Sequence, residues 1–213
     1  QRLRVLISAG PTRERIDPVR FISNASTGYM GSQLAAEALR RGHRVTVVRG
    51  PVREPMPPGA RVRPVVTSQQ MERAMRAEAP SADAIVMAAA VSDFRPARAS
   101  SIKLRRGALH LVLRATPDIV ARLPRRRGQV VAGFALEPDP VVPRAARKLR
   151  AKRLDLVLAQ RLNGTGSPFG RRAVEAWLLS RDGEVAVLGR LPKARVARAL
   201  LDKVESLWYG QAA

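Results

Sequence analysis

The sequence predicts an α/β chain: a Rossmann-like three-layer domain with a mostly parallel sheet and a smaller antiparallel extension. Three observations lead there. β-prone runs and amphipathic helical runs alternate through the first half. The runs are continuous rather than alternating in hydrophobicity, as suits strands buried on both faces. Near the end, Arg181-Asp182-Gly183 separates two further β-prone runs and signals a hairpin. The 213 residues suffice for one sizeable domain, so residues 1–213 are read as a single unit, and a hydrophobic content of 46% supplies its core.

Each element follows from local chemistry. Residues 3–8 (Leu-Arg-Val-Leu-Ile-Ser) form the first strand, stopped by Ala9-Gly10-Pro11-Thr12. A long loop, read as lacking regular structure and therefore functional, runs from Gly10 to about Thr27. Gly28 opens a helix through Arg41, with Met30, Leu34, Ala35, Ala38 and Leu39 on one side and Gly42 as its C′ residue. Arg44 to Val48 is a strand, and a Pro-rich irregular stretch occupies 51–61. A short strand covers Val62 to Val66, and Thr67 or Ser68 caps a helix through about Ala79. Ala84 to Ala88 is a continuous apolar strand. This order implies right-handed crossovers within a parallel sheet.

The second half is less regular. Leu109 to Leu113 alternates weakly. Thr116-Pro117-Asp118 is expected to start a short helix, with Pro at its first position. Val130 to Phe134 reads as a strand, Arg144 to Arg153 as a basic helix, and Leu154 to Leu158 as another strand. Ala173 to Leu179 and Glu184 to Leu188 form the hairpin, and Leu191 to Trp208 closes as an amphipathic helix.

Composition excludes several classes. Without cysteine there are no disulfides, thiolate metal sites or Cys nucleophiles. No apolar run approaches the roughly 20 residues that span a bilayer, and no secretory pattern opens the sequence, so a cytoplasmic location without a membrane partner is expected. The net charge of +22 draws polyanions, but aromatic residues are only 4% and do not interleave with the basic ones. Nucleic acid is therefore not the expected partner. Nearly all the cations are Arg; Lys stands only at 103, 148, 152, 193 and 203. A lysine retained against such a background suggests a need for its compact ammonium. His43 and His110 lie far apart, so no protein-held metal site is expected.

Two segments carry chemistry. Ser8-Ala9-Gly10-Pro11-Thr12 ends a strand in small residues, which lets a ligand approach the backbone at the sheet's carboxyl edge. Read alone, such a segment is more often a plain turn than a phosphate site. Ser23, Ser26 and Thr27 precede a helix start with Gly28 and Gly31 nearby, an arrangement that suits an anion or simple N-capping.

As a string the second segment is more specific. Asp17-Pro18-Val19-Arg20-Phe21-Ile22-Ser23-Asn24, followed by Ser26-Thr27-Gly28-Tyr29-Met30-Gly31, resembles the signature of the phosphopantothenate–cysteine ligase family. Ala88-Ala89-Ala90-Val91-Ser92-Asp93-Phe94, Thr116-Pro117-Asp118-Ile119 and Gly133-Phe134-Ala135-Leu136-Glu137 resemble further family motifs in the same order. So do Lys148 to Leu156, Pro168-Phe169-Gly170 and the closing helix. The resemblance implies condensation of 4′-phosphopantothenate with cysteine, driven by CTP or ATP through an acyl-nucleotide. Magnesium would be carried by the nucleotide. It also implies a homodimer. Many family members carry a flavin-binding decarboxylase, which is not recognised within these residues; a flavoprotein decarboxylase on a separate chain is one partner the resemblance leaves open.

Site roles follow from the same resemblance. Asn24 and Lys103 are the implied catalytic residues. Gly10, Ser26, Thr27, Gly28, Ala89, Asp93, Phe134, Lys148 and Lys152 would bind the nucleotide, and Asn24, Arg20 and Ala90 the acyl substrate. Several positions depart from the pattern. Ser101 replaces the first lysine of Lys-x-Lys-Lys, Gln160 an asparagine, and Arg171 and Arg172 a Ser-Asp pair. Two readings stay open: an active ligase weakened in cysteine coupling, and a nucleotide-binding paralogue with impaired catalysis.

Overall fold

The computed structural model describes residues 2–162 and 168–210. In chain order it contains β1 (Arg4–Ala9), β2 (Arg13–Arg15), β3 (Phe21–Ser23), α1 (Tyr29–Arg40), β4 (Arg44–Arg49), β5 (Arg61–Pro64), α2 (Ser68–Glu78) and β6 (Ala84–Met87). There follow β7 (Phe94–Pro96), β8 (Leu113–Ala115), β9 (Val130–Glu137), α3 (Val141–Ala151), β10 (Leu156–Arg161), β11 (Val174–Ser180), β12 (Val185–Leu191) and α4 (Lys193–Gly210).

One sheet runs β12-β11-β10-β9-β6-β1-β4-β5. The six strands from β10 to β5 are parallel, and β11 and β12 add antiparallel to β10. The predicted three-layer class is what the chain adopts. Two apolar clusters flank the sheet. Leu34, Ala35 and Ala38 of α1 and Val196, Leu200 and Leu201 of α4 cover one face; Met71 and Met75 of α2 and Ala145 and Leu149 of α3 cover the other. Continuous apolar strands are the direct consequence, because both pleat faces are buried.

Strand order reverses beside β1: the chain moves outward to β4 and β5, then returns to place β6 on the other side. In open α/β sheets this switch point leaves a crevice at the carboxyl ends of the strands. Gly31 lets α1 lie against that crevice. A Cβ there would sit 2.4 Å from the Ala9 Cβ. The far end of α1 closes as expected: Gly42 N–H donates to Leu39 O and His43 N–H to Ala38 O, the Schellman pattern.

The structure corrects several boundaries. The stretch from Gly10 to Thr27 holds the antiparallel pair β2–β3 rather than a structureless loop. Long-range bonds create it: Ser23 Oγ donates to Thr12 O at 2.7 Å, and the buried Glu14 carboxylate accepts the Ser68 N–H at 2.7 Å. The weak 109–113 alternation shrinks to β8, which pairs with β7. Thr116-Pro117-Asp118 starts no helix. A single 3₁₀ turn follows at Val120–Arg122, with Asp118 Oδ1 accepting the Ala121 N–H. α3 begins at Val141 rather than Arg144, because Pro143 falls in the first turn, where a missing N–H is harmless. No helix among the described residues is long and apolar enough to cross a membrane.

Candidate functional site

A cleft of about 620 Å³ opens at the switch point. The β6 end supplies Met87 to Val91, and the approach to α1 supplies Asn24 and Ser26 to Met30. Thr116 to Val120 form one wall, β9 contributes Gly133 to Leu136, and α3 contributes Lys148. Asp93, Lys152, Gln160, Pro168, Phe169 and Lys193 also line it. Asn24, Ser26, Thr27, Gly28, Ala89, Ala90, Asp93, Phe134, Lys148 and Lys152, separated by up to 128 positions in sequence, thus line one space. Gly10, Arg20 and Lys103 do not line it.

A relay of hydroxyls holds the rim. Ser92 N–H donates to Thr12 Oγ1 at 3.0 Å, and Thr116 Oγ1 donates to Ser92 O at 2.6 Å. Ala89 N–H donates to Ser8 Oγ at 3.2 Å, which ties the ends of β6 and β1 together. Asn24 is exposed at this rim, and its Nδ2 donates to Ala90 O at 2.9 Å. One bond fixes the amide plane and leaves the Oδ1 acceptor and a second N–H for a ligand.

The start of α1 is built for close approach. Gly28 is its N-cap with φ +80°, a left-handed conformation natural to glycine. No side chain caps the helix in the usual way; instead Thr27 Oγ1 accepts the Tyr29 N–H and Ser26 Oγ the Gly28 N–H, at 3.3 and 3.4 Å. These bonds are long, and the helix's positive end points at the cleft wall that these residues form.

The cations divide between two regions. Lys152 Nζ lies 2.8 Å from Asp118 Oδ2. Burial pulls the Asp118 carboxyl upward, but Lys152 and the Ala121 amide outweigh it and hold the group below the usual carboxylate range. Burial, and secondarily the charge of Lys152, lowers the Lys148 ammonium, while Glu137, Asp93 and Asp118 oppose that drift. Lys193, which sequence reasoning left outside the site, is 4% exposed and donates from Nζ to Pro168 O at 2.6 Å. Burial brings its pKa down to about 8. The usable signal for it was its membership of the small lysine set in an arginine-rich chain.

The remaining sequence candidates sit elsewhere. Gly10 lies beneath the rim: its carbonyl accepts the Ala90 N–H, and Val52 covers it. Arg20 is bound to Asp17, with Nε to Oδ2 at 2.8 Å, and donates from Nη2 to Leu104 O at 2.7 Å. Asp17 also accepts N–H groups from Val19, Arg20 and Leu104. Burial raises this carboxyl, but the donors prevail and hold it well below the ordinary range. Asp17 therefore clamps the 97–112 segment, exposed Lys103 included, to the β2–β3 hairpin.

With this geometry in view, known proteins identify the ancestry. Residues 1–207 match the family described as DNA/pantothenate metabolism flavoprotein C-terminal domain. The chain belongs to that family. It is 36% identical over 207 residues to the coenzyme A biosynthesis bifunctional protein CoaBC of Bacillus subtilis (strain 168), covering 95% of this chain and 51% of that protein. It is 37% identical over 209 residues to a cysteine/cysteine sulfinic acid decarboxylase from an unknown prokaryotic organism, covering 96% of this chain and 58% of that protein. The chain thus spans about half the length of the curated relatives it matches. Among solved structures, the C-terminal domain of a coenzyme A biosynthesis bifunctional protein CoaBC superposes with a TM-score of 0.82 at 33% identity, covering 99% of each chain. The matching of a whole C-terminal domain explains why the resemblance extends from the first strand to the last helix.

Proposed function

We propose that this chain is the ligase domain that joins 4′-phosphopantothenate to cysteine in coenzyme A biosynthesis, through an acyl-nucleotide. One observation carries the reading: the switch-point cleft gathers the motif residues Asn24, Ala89, Ala90, Asp93, Phe134, Lys148 and Lys152 around a helix start. The relatives named above support it at the level of the pathway.

In this reading a carboxylate oxygen of phosphopantothenate attacks the α-phosphorus of CTP. The bond from that phosphorus to the bridging oxygen breaks, and pyrophosphate leaves. The cysteine amine then attacks the acyl carbon, nucleoside monophosphate departs, and the nitrogen loses a proton. Asn24, held by Ala90, offers an amide donor beside the activated acyl group. Gly28 and the first turn of α1 face phosphate, and Lys148 and Lys152 offset nucleotide charge. Asp93 and Phe134 accompany the base. In this reading Arg20, in the turn between β2 and β3, contacts the acyl substrate, and Lys103, on the clamped segment, serves catalysis. CTP is preferred over ATP because the family's bacterial members mostly use it. No group of three or more acidic or histidine side chains forms a metal cage among the described residues. The chain's chemistry fits magnesium held by the nucleotide's phosphates, where it would supply charge neutralisation.

A homodimer in the cytoplasm is part of the proposal. Phe21, Phe94, Ile102, Val112 and Leu113 are exposed apolar residues carried by the two hairpins and the clamped segment, a surface suited to a second copy.

The test is direct. Protein mixed with CTP, magnesium and 4′-phosphopantothenate should release pyrophosphate and yield the acyl-cytidylate by mass spectrometry. Absence of both, with ATP as well as CTP, rejects the reading. Addition of cysteine then reports the second step, in which Ser101 in place of a lysine predicts slow turnover.

A further inference from the structure

We propose that Lys193 is a ligand-contacting residue that binds a phosphate group of a substrate, forming a cationic pole separate from Lys148 and Lys152. The inference rests on the ligase reading and adds a contact to it. Lys193 is nine-tenths or more buried, yet it lines the cleft. Among the described residues its Nζ has one hydrogen-bond partner, Pro168 O at 2.6 Å, and no carboxylate within 4.0 Å forms an ion pair with it. One carbonyl satisfies one of three ammonium donors and supplies no negative charge. A buried cation in that state calls for a counter-charge, and the cleft is the open side from which one can come.

Position separates this pole from the other. α3 packs its Leu149 on the sheet face that includes Val157, and it carries Lys148. α4 covers the opposite face, where Leu156, Leu158 and Leu200 pack. Strand alternation puts Gln160 on this second face as well. Gln160 is buried, lines the same cleft, and has no side-chain hydrogen bond to any described residue. Lys193 and Gln160 thus bring to one side of the site an ammonium with no ion-pair partner, and an amide with no side-chain hydrogen bond, among the described residues. That pair suits phosphate oxygens, which accept from both. A triphosphate and the phosphate of phosphopantothenate share this chemistry.

Lys193→Gln tests charge while retaining a donor for Pro168, and Lys193→Met removes both. Calorimetry would measure Mg-CTP, cytidine and 4′-phosphopantothenate separately against wild type and both variants. A loss of about 10-fold or more in affinity for one phosphate ligand in Lys193→Gln is expected. Loss for Mg-CTP with cytidine unchanged assigns the contact to the triphosphate; loss for 4′-phosphopantothenate alone assigns it to that substrate. If Lys193→Gln melts like wild type and binds every ligand equally well, Lys193 is only a strut for Pro168 and the inference is overturned. A Lys193→Met variant that does not fold leaves the Lys193→Gln comparison decisive. If Lys193→Gln also fails to fold, the lysine is needed by the fold itself and the inference is overturned. Wild type that binds none of the three ligands rejects the ligase reading, and this inference with it.

Discussion

Asn24 and Asp17 belong to one short motif but do different work. Asn24 is exposed at the rim and held by a single bond to Ala90, whereas Asp17 is buried under four donors. Asn24→Asp should keep shape and fold while exchanging a donor for a negative charge beside the carboxylate that reacts in the proposed function. We expect pyrophosphate release to fall about 10²–10³-fold, with an unchanged circular dichroism spectrum. Asp17→Asn should instead lower the melting temperature. Its folded carboxyl is depressed, so its stabilisation is present above the unfolded value of about 4 and is lost as pH falls below it. Melts from pH 7 to pH 3 should show the gap between wild type and variant closing below about pH 4. A gap constant with pH would mean that ionised Asp17 is not what holds the clamp.

At the scale of elements, two substitutions separate packing from capping. Gly31→Ala places a methyl group against Ala9 at the α1–β1 contact, so either the helix or the strand must move. A loss of about 1–3 kcal/mol by urea denaturation is expected, together with weaker CTP binding, because α1 forms the cleft wall. Thr67→Ala breaks the capping box in which Thr67 Oγ1 accepts the Gln70 N–H. It should cost about 1 kcal/mol and leave ligand binding alone, since α2 lies away from the site. The parallel strands and the end of α1 were legible because aliphatic runs and a C′ glycine are local signals. β2–β3 and β7–β8 were not. Each strand there has three residues, and β2 is held by the Ser68 N–H, 54 positions downstream, which donates to Glu14. The cleft-lining residues Asn24, Asp93 and Phe134 stood out as motif, not as physics. Lys193 escaped because its apposition to the cleft depends on how β11, β12 and α4 fold back.

At the scale of the molecule, the exposed apolar residues of the hairpins concern assembly. Sedimentation velocity should show a species of twice the 23.2 kDa chain mass. Val112→Asp should shift that species toward monomer, because an isolated charge in a buried apolar contact lacks a partner. A wild-type protein that remains monomeric at high micromolar concentration counts against the dimer.

The packing of α4 on α1 bears on how the chain matures. Arg41, at the end of α1, bonds Glu205, which lies 164 residues downstream. At about 5–20 residues per second, α4 is translated on the order of ten seconds or more after the helix it covers. During that interval one flank of the newborn N-terminal half stays greasy and unguarded on the ribosome. A holdase that recognises aliphatic helix faces would find its target there, and a premature stop before α4 would leave that flank permanently bare.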